Sequence, residues 1–326
     1  MRDRELDESS LIRRYFARPG GARRGSGVLL GIGDDAALLK LPEGADLVAS
    51  VDAIVSGRPF LANASARAIG HRALAVNLSD MAAMGATPAW ATLSLTMPSA
   101  EPAWLEEFAA GLLDLADEYA VVLVGGDTTR GPLTVSVQIL GHVPHGSALR
   151  RSGGAAGDLL AVSGTLGDAA AGLAFLQVPP SLPSPHVAEL IQRFHYPTPR
   201  VRLGLAARGI ASAAMDLSDG LVGDLPKLVQ ASGLAAHVNV EQLPLSLAMR
   251  NAVEGPQARD WALAGGDDYE LLFAVPLQRF PELQMAAGQL NLTLTPIGEL
   301  RAGAGVTWSL NGEDFAPSVS GYDHFA

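Results

Sequence analysis

The chain has 326 residues, no cysteine and a formal charge of −11, from 23 basic against 34 acidic side chains. Without thiols there are no disulfides, thiolate zinc sites, iron–sulfur clusters or cysteine nucleophiles, and so acidic a chain offers a poor face to nucleic acid. Of its basic residues only Lys40 and Lys227 are lysines, so a phosphate site built on the lysine of a glycine-rich loop is not expected.

The N-terminal stretch MRDRELDESS is polar and no apolar signal core follows it, nor does any run approach the roughly 20 apolar residues that span a bilayer. We therefore expect a soluble cytoplasmic protein with no membrane or nucleic-acid partner. Residues 8 to 17 read as a short amphipathic helix, with Ser9 or Ser10 as cap and Leu11, Ile12 and Phe16 on one side. The Gly/Arg-rich residues 18 to 27 read as a loop. A short apolar run, 28 to 32, leads into GIGDDAALL, and 47 to 51 predicts a strand that ends at Asp52. Helical spacing follows over 62 to 84, then a strand at 90 to 97, a helix at 101 to 119, and strands at 121 to 124 and 133 to 140. Such alternation indicates an α/β layer.

Composition changes over 141 to 157, GHVPHGSALRRSGGAAG, where proline, glycine and arginine mark a boundary. We divide the chain there, into domains 1–141 and 142–326. A second α/β unit is expected beyond it. Its strands are 159 to 162, 213 to 215, 237 to 240, 271 to 275 and 292 to 297. Its helices are 168 to 176, 200 to 209 and 218 to 230. The aromatic end, GYDHFA, predicts a segment that packs or binds.

Acidic residues recur in short motifs that the reading places at strand junctions: GIGDD, SVD, NLSD, GGDTTRG, DLSDG and GGDDYE. Each Gly-Asp pair alone is an ordinary turn or cap. Together, at strand ends of an open α/β sheet, they would line a ligand crevice. Carboxylates crowded in a low-dielectric crevice repel one another, and a hard divalent cation removes the conflict. The seven histidines are scattered with no HExxH pair, which disfavours zinc and leaves magnesium. There is no GxxxxGK[ST] loop and no HRD or DFG. Arg130, Arg150 and Arg151 are then the candidate phosphate partners.

These motifs, with SGTLGDAAAGL and the closing GYDHF, run in order along essentially the whole chain. They resemble those of the thiamine-monophosphate kinases, relatives of the aminoimidazole ribonucleotide synthetases. The resemblance implies a two-domain α/β (α+β) fold. An N-terminal α/β domain binds metal and ATP and dimerises through its sheet, a C-terminal α/β domain follows, and the active site lies in the cleft. It implies that ATP and several magnesium ions serve direct in-line phosphorylation of thiamine monophosphate to thiamine diphosphate.

Matched residue by residue, Asp35, Ser50, Asp52, Asp80, Asp127, Asp216 and Asp219 fall on metal positions. Val51, where a threonine is common, keeps only a backbone carbonyl for that role. Gly126, Asp127, Arg151 and Ser218 fall on nucleotide positions, and Asp127 and Arg151 are the two assigned to catalysis. Asp267 and Tyr322 fall near the substrate phosphate. Arg58 and Pro59 stand where a G-x-H-F histidine is frequent. The acceptor phosphate is already ionised near neutrality, so no dedicated base is expected. The alternatives are another ATP-dependent enzyme of the superfamily and a non-catalytic nucleotide or metal sensor.

Overall fold

The computed structural model describes residues 8–17, 26–56, 59–60, 64–182 and 184–321. The chain divides into two compact units. One comprises residues 1–81 and 87–146, and the other comprises 82–86 and 147–326.

The first unit opens with α1 (Glu8–Leu11), continued by a π-helical turn at Ile12–Phe16, then β1 (Val28–Leu30), β2 (Leu38–Leu39), β3 (Ala45–Ser56) and β4 (Pro59–Phe60). It goes on through α2 (Ala66–Ala83), β5 (Thr87–Met97), α3 (Pro102–Glu118), β6 (Val122–Arg130) and β7 (Thr134–Pro144). Its main sheet has the order β4-β3-β7-β5-β6, antiparallel at β3–β7 and β5–β7 and parallel at β5–β6 and β3–β4. Strand periodicity decides its faces: Val135, Val137 and Ile139 of β7 are buried while Gln138 is exposed. A Cβ on Gly70 would strike the Phe108 carbonyl and one on Gly111 the Arg67 carbonyl. The two glycines thus let α2 and α3 cross backbone to backbone.

The second unit holds β8 (Leu159–Ser163), α4 (Asp168–Gln177), α5 (Pro185–His195), α6 (Val201–Ala207), β9 (Ala213–Leu217), α7 (Leu221–Ser232) and β10 (Ala235–Asn239). These are followed by α8 (Leu247–Ala252), α9 (Gly255–Ala264), β11 (Glu270–Val275), α10 (Phe280–Gln289), β12 (Leu294–Arg301), β13 (Gly305–Leu310) and β14 (Glu313–Phe315). The seven-stranded sheet runs β14-β13-β10-β12-β8-β11-β9, and only β10–β13 is parallel. Every residue of β9 and β11 is buried, which explains why both are apolar apart from Asp216 and Glu270. Met215, Leu217, Leu225, Leu228 and Leu272 belong to one core cluster under this sheet.

The two-unit α+β architecture agrees with the sequence reading, but several details differ. Asp52 does not end a strand: β3 carries it onward to Ser56, paired to β7 with Asp52 opposite Val137. Asp127 does not sit in a turn either, because β6 runs straight through Gly125-Gly126-Asp127, with Asp127 opposite Ser94 of β5. Asp80 lies inside the last turns of α2. The strand-end placement of Asp52 and Asp127 is therefore corrected: both lie inside strands of a sheet that mixes parallel and antiparallel pairs. Helix α5 was missed, although Val187, Leu190 and Phe194 form its buried face at helical spacing.

Candidate active site

In the first unit the strand period places Ser50 and Asp52 on one side of β3, with Val51 on the other, 60% exposed. Val51 therefore has only its backbone to offer on the Ser50 side. Asp80 comes to the same place from α2, and the Ser50 hydroxyl donates to its Oδ2. The Asp80 carboxylate is close enough to Asp52 to perturb its ionisation. Burial, and then the Asp80 charge, push the Asp52 carboxyl up to about 7. Asp80 also lies near the C-terminal end of α2, where the helix dipole opposes negative charge.

Gly126 makes the neighbouring close approach, for a Cβ there would collide with the Leu93 carbonyl oxygen. Asp127 follows it, exposed on β6. Asp35 is exposed in the bend between β1 and β2. Arg58 lies outside the described residues, and Pro59 is described only as the first residue of β4.

In the second unit, three motifs far apart in sequence converge. The Asp267 N–H donates to the Ser218 carbonyl at 2.9 Å and the Tyr269 N–H to the Leu217 carbonyl at 3.0 Å, which ties GGDDYE to DLSDG. Asp267 and Tyr269 hold φ of 72° and 52°, a left-handed conformation costly for residues with a Cβ. The Tyr269 hydroxyl donates to Asp267 Oδ1 at 3.1 Å. Gly321 packs where a Cβ would be 3.1 Å from the Asp219 carbonyl oxygen. The start of GYDHF is thus brought to the DLSDG turn, while Tyr322 itself lies outside the described residues. Asp216 is buried in β9 beside Leu271 of β11.

Two groups the sequence reading passed over complete this unit's site. Asp224 Oδ2 accepts the N–H groups of Ser218 at 3.0 Å and Asp219 at 2.8 Å. Lys227 Nζ donates to Asp219 Oδ2 at 2.6 Å and Asp224 Oδ1 at 2.8 Å. Burial alone would lower the Lys227 pKa, but its bonds to Asp219 and Asp224 more than offset that and raise it. One of the chain's two lysines therefore stands against a predicted metal position. The i, i+3 spacing of Asp224 and Lys227 on α7 was the signal for it.

Behind the GGDDYE loop, Glu270 is fully buried. It accepts from Ser163 Oγ at 2.5 Å, Arg193 at 3.0 Å and Arg200 Nε at 2.7 Å. The Arg151 carbonyl accepts from Ser232 Oγ at 2.9 Å, at the C-terminal end of α7.

Among the described residues no three acidic or histidine side chains form a ready cage for an ion; the acids come as pairs. That suits magnesium, which is commonly held by one or two carboxylates plus substrate phosphates. The Asp52–Asp80 pair, two crowded carboxyls, fits such an ion.

The AIR synthase related protein family matches this chain in two parts, its N-terminal domain over residues 33–143 and its C-terminal domain over 155–309. The thiamine-monophosphate kinase of Salmonella typhimurium is 49% identical over 321 residues, covering 98% of each chain. The chain belongs to the thiamine-monophosphate kinase family. The family's Bacillus subtilis member is 35% identical, covering 98% of this chain and all of that one. The crystal structure of the thiamine-monophosphate kinase from Stenotrophomonas maltophilia superposes with a TM-score of 0.83 at 46% identity, over 89% of this chain and 92% of that one. The AaThiL complex with AMPPCP and TMP superposes at 0.78 with 33% identity, over 88% and 89%. The hydrogenase maturation protein HypE of E. coli shares the fold at 23% identity and a TM-score of 0.76.

Proposed function

We propose that this chain transfers the γ-phosphoryl group of ATP to the phosphate of thiamine monophosphate, directly and in line, giving ADP and thiamine diphosphate. The observation that carries the reading is the Ser50–Asp52–Asp80 constellation. It crowds two carboxylates where burial and mutual repulsion hold Asp52 up to about 7, a conflict that a bound cation would relieve. Magnesium would neutralise the two phosphate groups and align them. Asp52, Asp80 and Asp127 would hold ions from the first unit, with Ser50, the Val51 carbonyl and Asp35 as further ligands. Asp216 and Asp219 would do so from the second.

Gly126 and Ser218 present backbone to the nucleotide, and Arg151 carries charge on its phosphates. Asp267, Tyr322 and the Arg58–Pro59 segment meet thiamine monophosphate. The acceptor oxygen is anionic near neutral pH, so the protein's task is charge neutralisation and positioning, not deprotonation.

The protein is proposed to act in the cytoplasm; no helix among the described residues is long and apolar enough to cross a membrane. A homodimer through the β3 face is also proposed. Leu47, Val51 and Val55 recur every fourth residue there and are 53%, 60% and 43% exposed, forming an apolar stripe that a second copy would cover.

The test is ADP release coupled to thiamine monophosphate, with chromatographic identification of thiamine diphosphate and a magnesium titration. Release with thiamine monophosphate and not with aminoimidazole-pathway substrates is the expected result. The reverse preference would assign the chain to another superfamily reaction, and nucleotide binding without turnover would make it a sensor.

A further inference from the structure

We propose that Lys227 is an internal cation of the DLSDG turn that competes with magnesium for Asp219. The inference rests on the reading of Asp219 as a magnesium position. The Lys227 ammonium lies 2.6 Å from Asp219 Oδ2 and 2.8 Å from Asp224 Oδ1, on the two carboxylates at once.

The two ends of this bridge are not equivalent. Asp224 is buried and locked, because its other oxygen accepts the N–H groups of Ser218 and Asp219 at 3.0 and 2.8 Å. Asp219 is the freer carboxylate, its side chain 24% exposed against 1% for Asp224. Lys227 is 41% exposed on a flexible four-carbon stem. It can release Asp219 while keeping Asp224, so yielding Asp219 to an incoming ion costs one of its two bonds.

The residue type supports this role. Arginine outnumbers lysine 21 to 2 in the chain, yet this bridge is made by lysine. A guanidinium is a planar fork that locks onto carboxylates, whereas an ammonium is a compact point charge that can step aside. Before metal arrives, Lys227 neutralises the turn. When metal arrives, it must give way, so Asp219 binds an ion more weakly than the same carboxylate would if left alone.

The experiment is a titration of the full-length, nucleotide-free protein with Mn²⁺, followed by the paramagnetic signal of the free ion. K227Q removes the competing charge and should bind Mn²⁺ up to about fivefold tighter at one site, the size expected for losing a partly exposed ion pair. K227R keeps the charge in a fork that locks onto the carboxylates and should bind Mn²⁺ more weakly than the wild type at that site. The D219N/K227Q double variant should bind as D219N does. Circular dichroism confirms that each variant is folded, and K227R supplies a second, milder probe should K227Q fold poorly.

Equal affinity and stoichiometry in K227Q and wild type would overturn the proposal. So would a gain in K227R, or one that persists in the D219N background. Thiamine monophosphate-dependent ADP release by the wild type is measured in parallel. Turnover without the K227Q effect defeats only the lysine proposal, and the K227Q effect without turnover defeats only the kinase reading.

Discussion

The Ser50 hydroxyl donates to the Asp80 carboxylate, joining a strand and a helix that carry their groups 30 residues apart in sequence. Asp80, on α2, is in turn crowded by Asp52 of β3. Ser50 thus aims a carboxylate whether or not it also touches an ion. The variant S50A should raise the magnesium concentration for half-maximal activity by roughly tenfold or more, as loss of a ligand-orienting partner does. A magnesium titration of initial rates checks this, and an unchanged midpoint would deny Ser50 the role.

Asp127 is exposed on β6 and its neighbour Gly126 is fixed by backbone contact with Leu93. Its carboxylate can therefore be changed with little effect on packing. D127N should lower kcat at least about 10²-fold, the scale for removing one preorganised electrostatic group. Its unfolding free energy should stay within about 0.5 kcal/mol of wild type, as for other surface changes. Near-normal turnover at saturating magnesium would remove Asp127 from the mechanism.

Glu270 is an anion with no access to water, held by Arg200 and Arg193. Burial would raise its pKa, yet these partners more than reverse that and keep it below the ordinary 4.5. A depressed carboxylate contributes its stability above the unfolded-state value and loses it as pH falls through the folded one. Acid should therefore weaken the wild type below about pH 4.5. E270Q should lose about 3 kcal/mol at neutral pH, because two partly buried arginines are left underpaired, and should show a flatter acid limb. Urea unfolding across pH checks both; an E270Q protein of wild-type stability would mean that the pair is not what holds this loop.

The apolar stripe of Leu47, Val51 and Val55 gives the dimer its test. V51E places a charge in the middle of the stripe, on the side of β3 opposite Ser50 and Asp52. It should shift the protein toward monomer in light scattering after size exclusion, by adding an unpaired charge to an apolar contact. A V51E dimer as tight as wild type would place the interface elsewhere.

Much of the architecture was legible in local periodicity. The runs at 90–97 and 271–275 read as strands and lie in β5 and β11, and the spacing of Leu105, Phe108, Leu112 and Leu115 read as α3. What failed was position along a strand. The glycines of GGDTTR look like a turn, because nothing local reveals that β5 lies alongside and supplies parallel hydrogen bonds through Asp127. The length of β3 was underestimated for the same reason. Eleven residues of β7 pair with it, and a partner strand extends a strand beyond what its own residues suggest.

Residue chemistry by itself determined the absence of thiol chemistry and the presence of the acidic motifs, since these depend only on which side chains are present. Only tertiary structure decided which acids meet. Asp52 finds Asp80 because a strand face and a helix end pack together, and Asp219 finds Lys227 because α7 turns its eighth following residue back over the DLSDG loop. Charge–charge energies depend on ångström distances and on burial, and neither is encoded in spacing along the chain. The scarcity of lysine was plain from the composition, but that one of the two neutralises a carboxylate of the candidate site needed the fold.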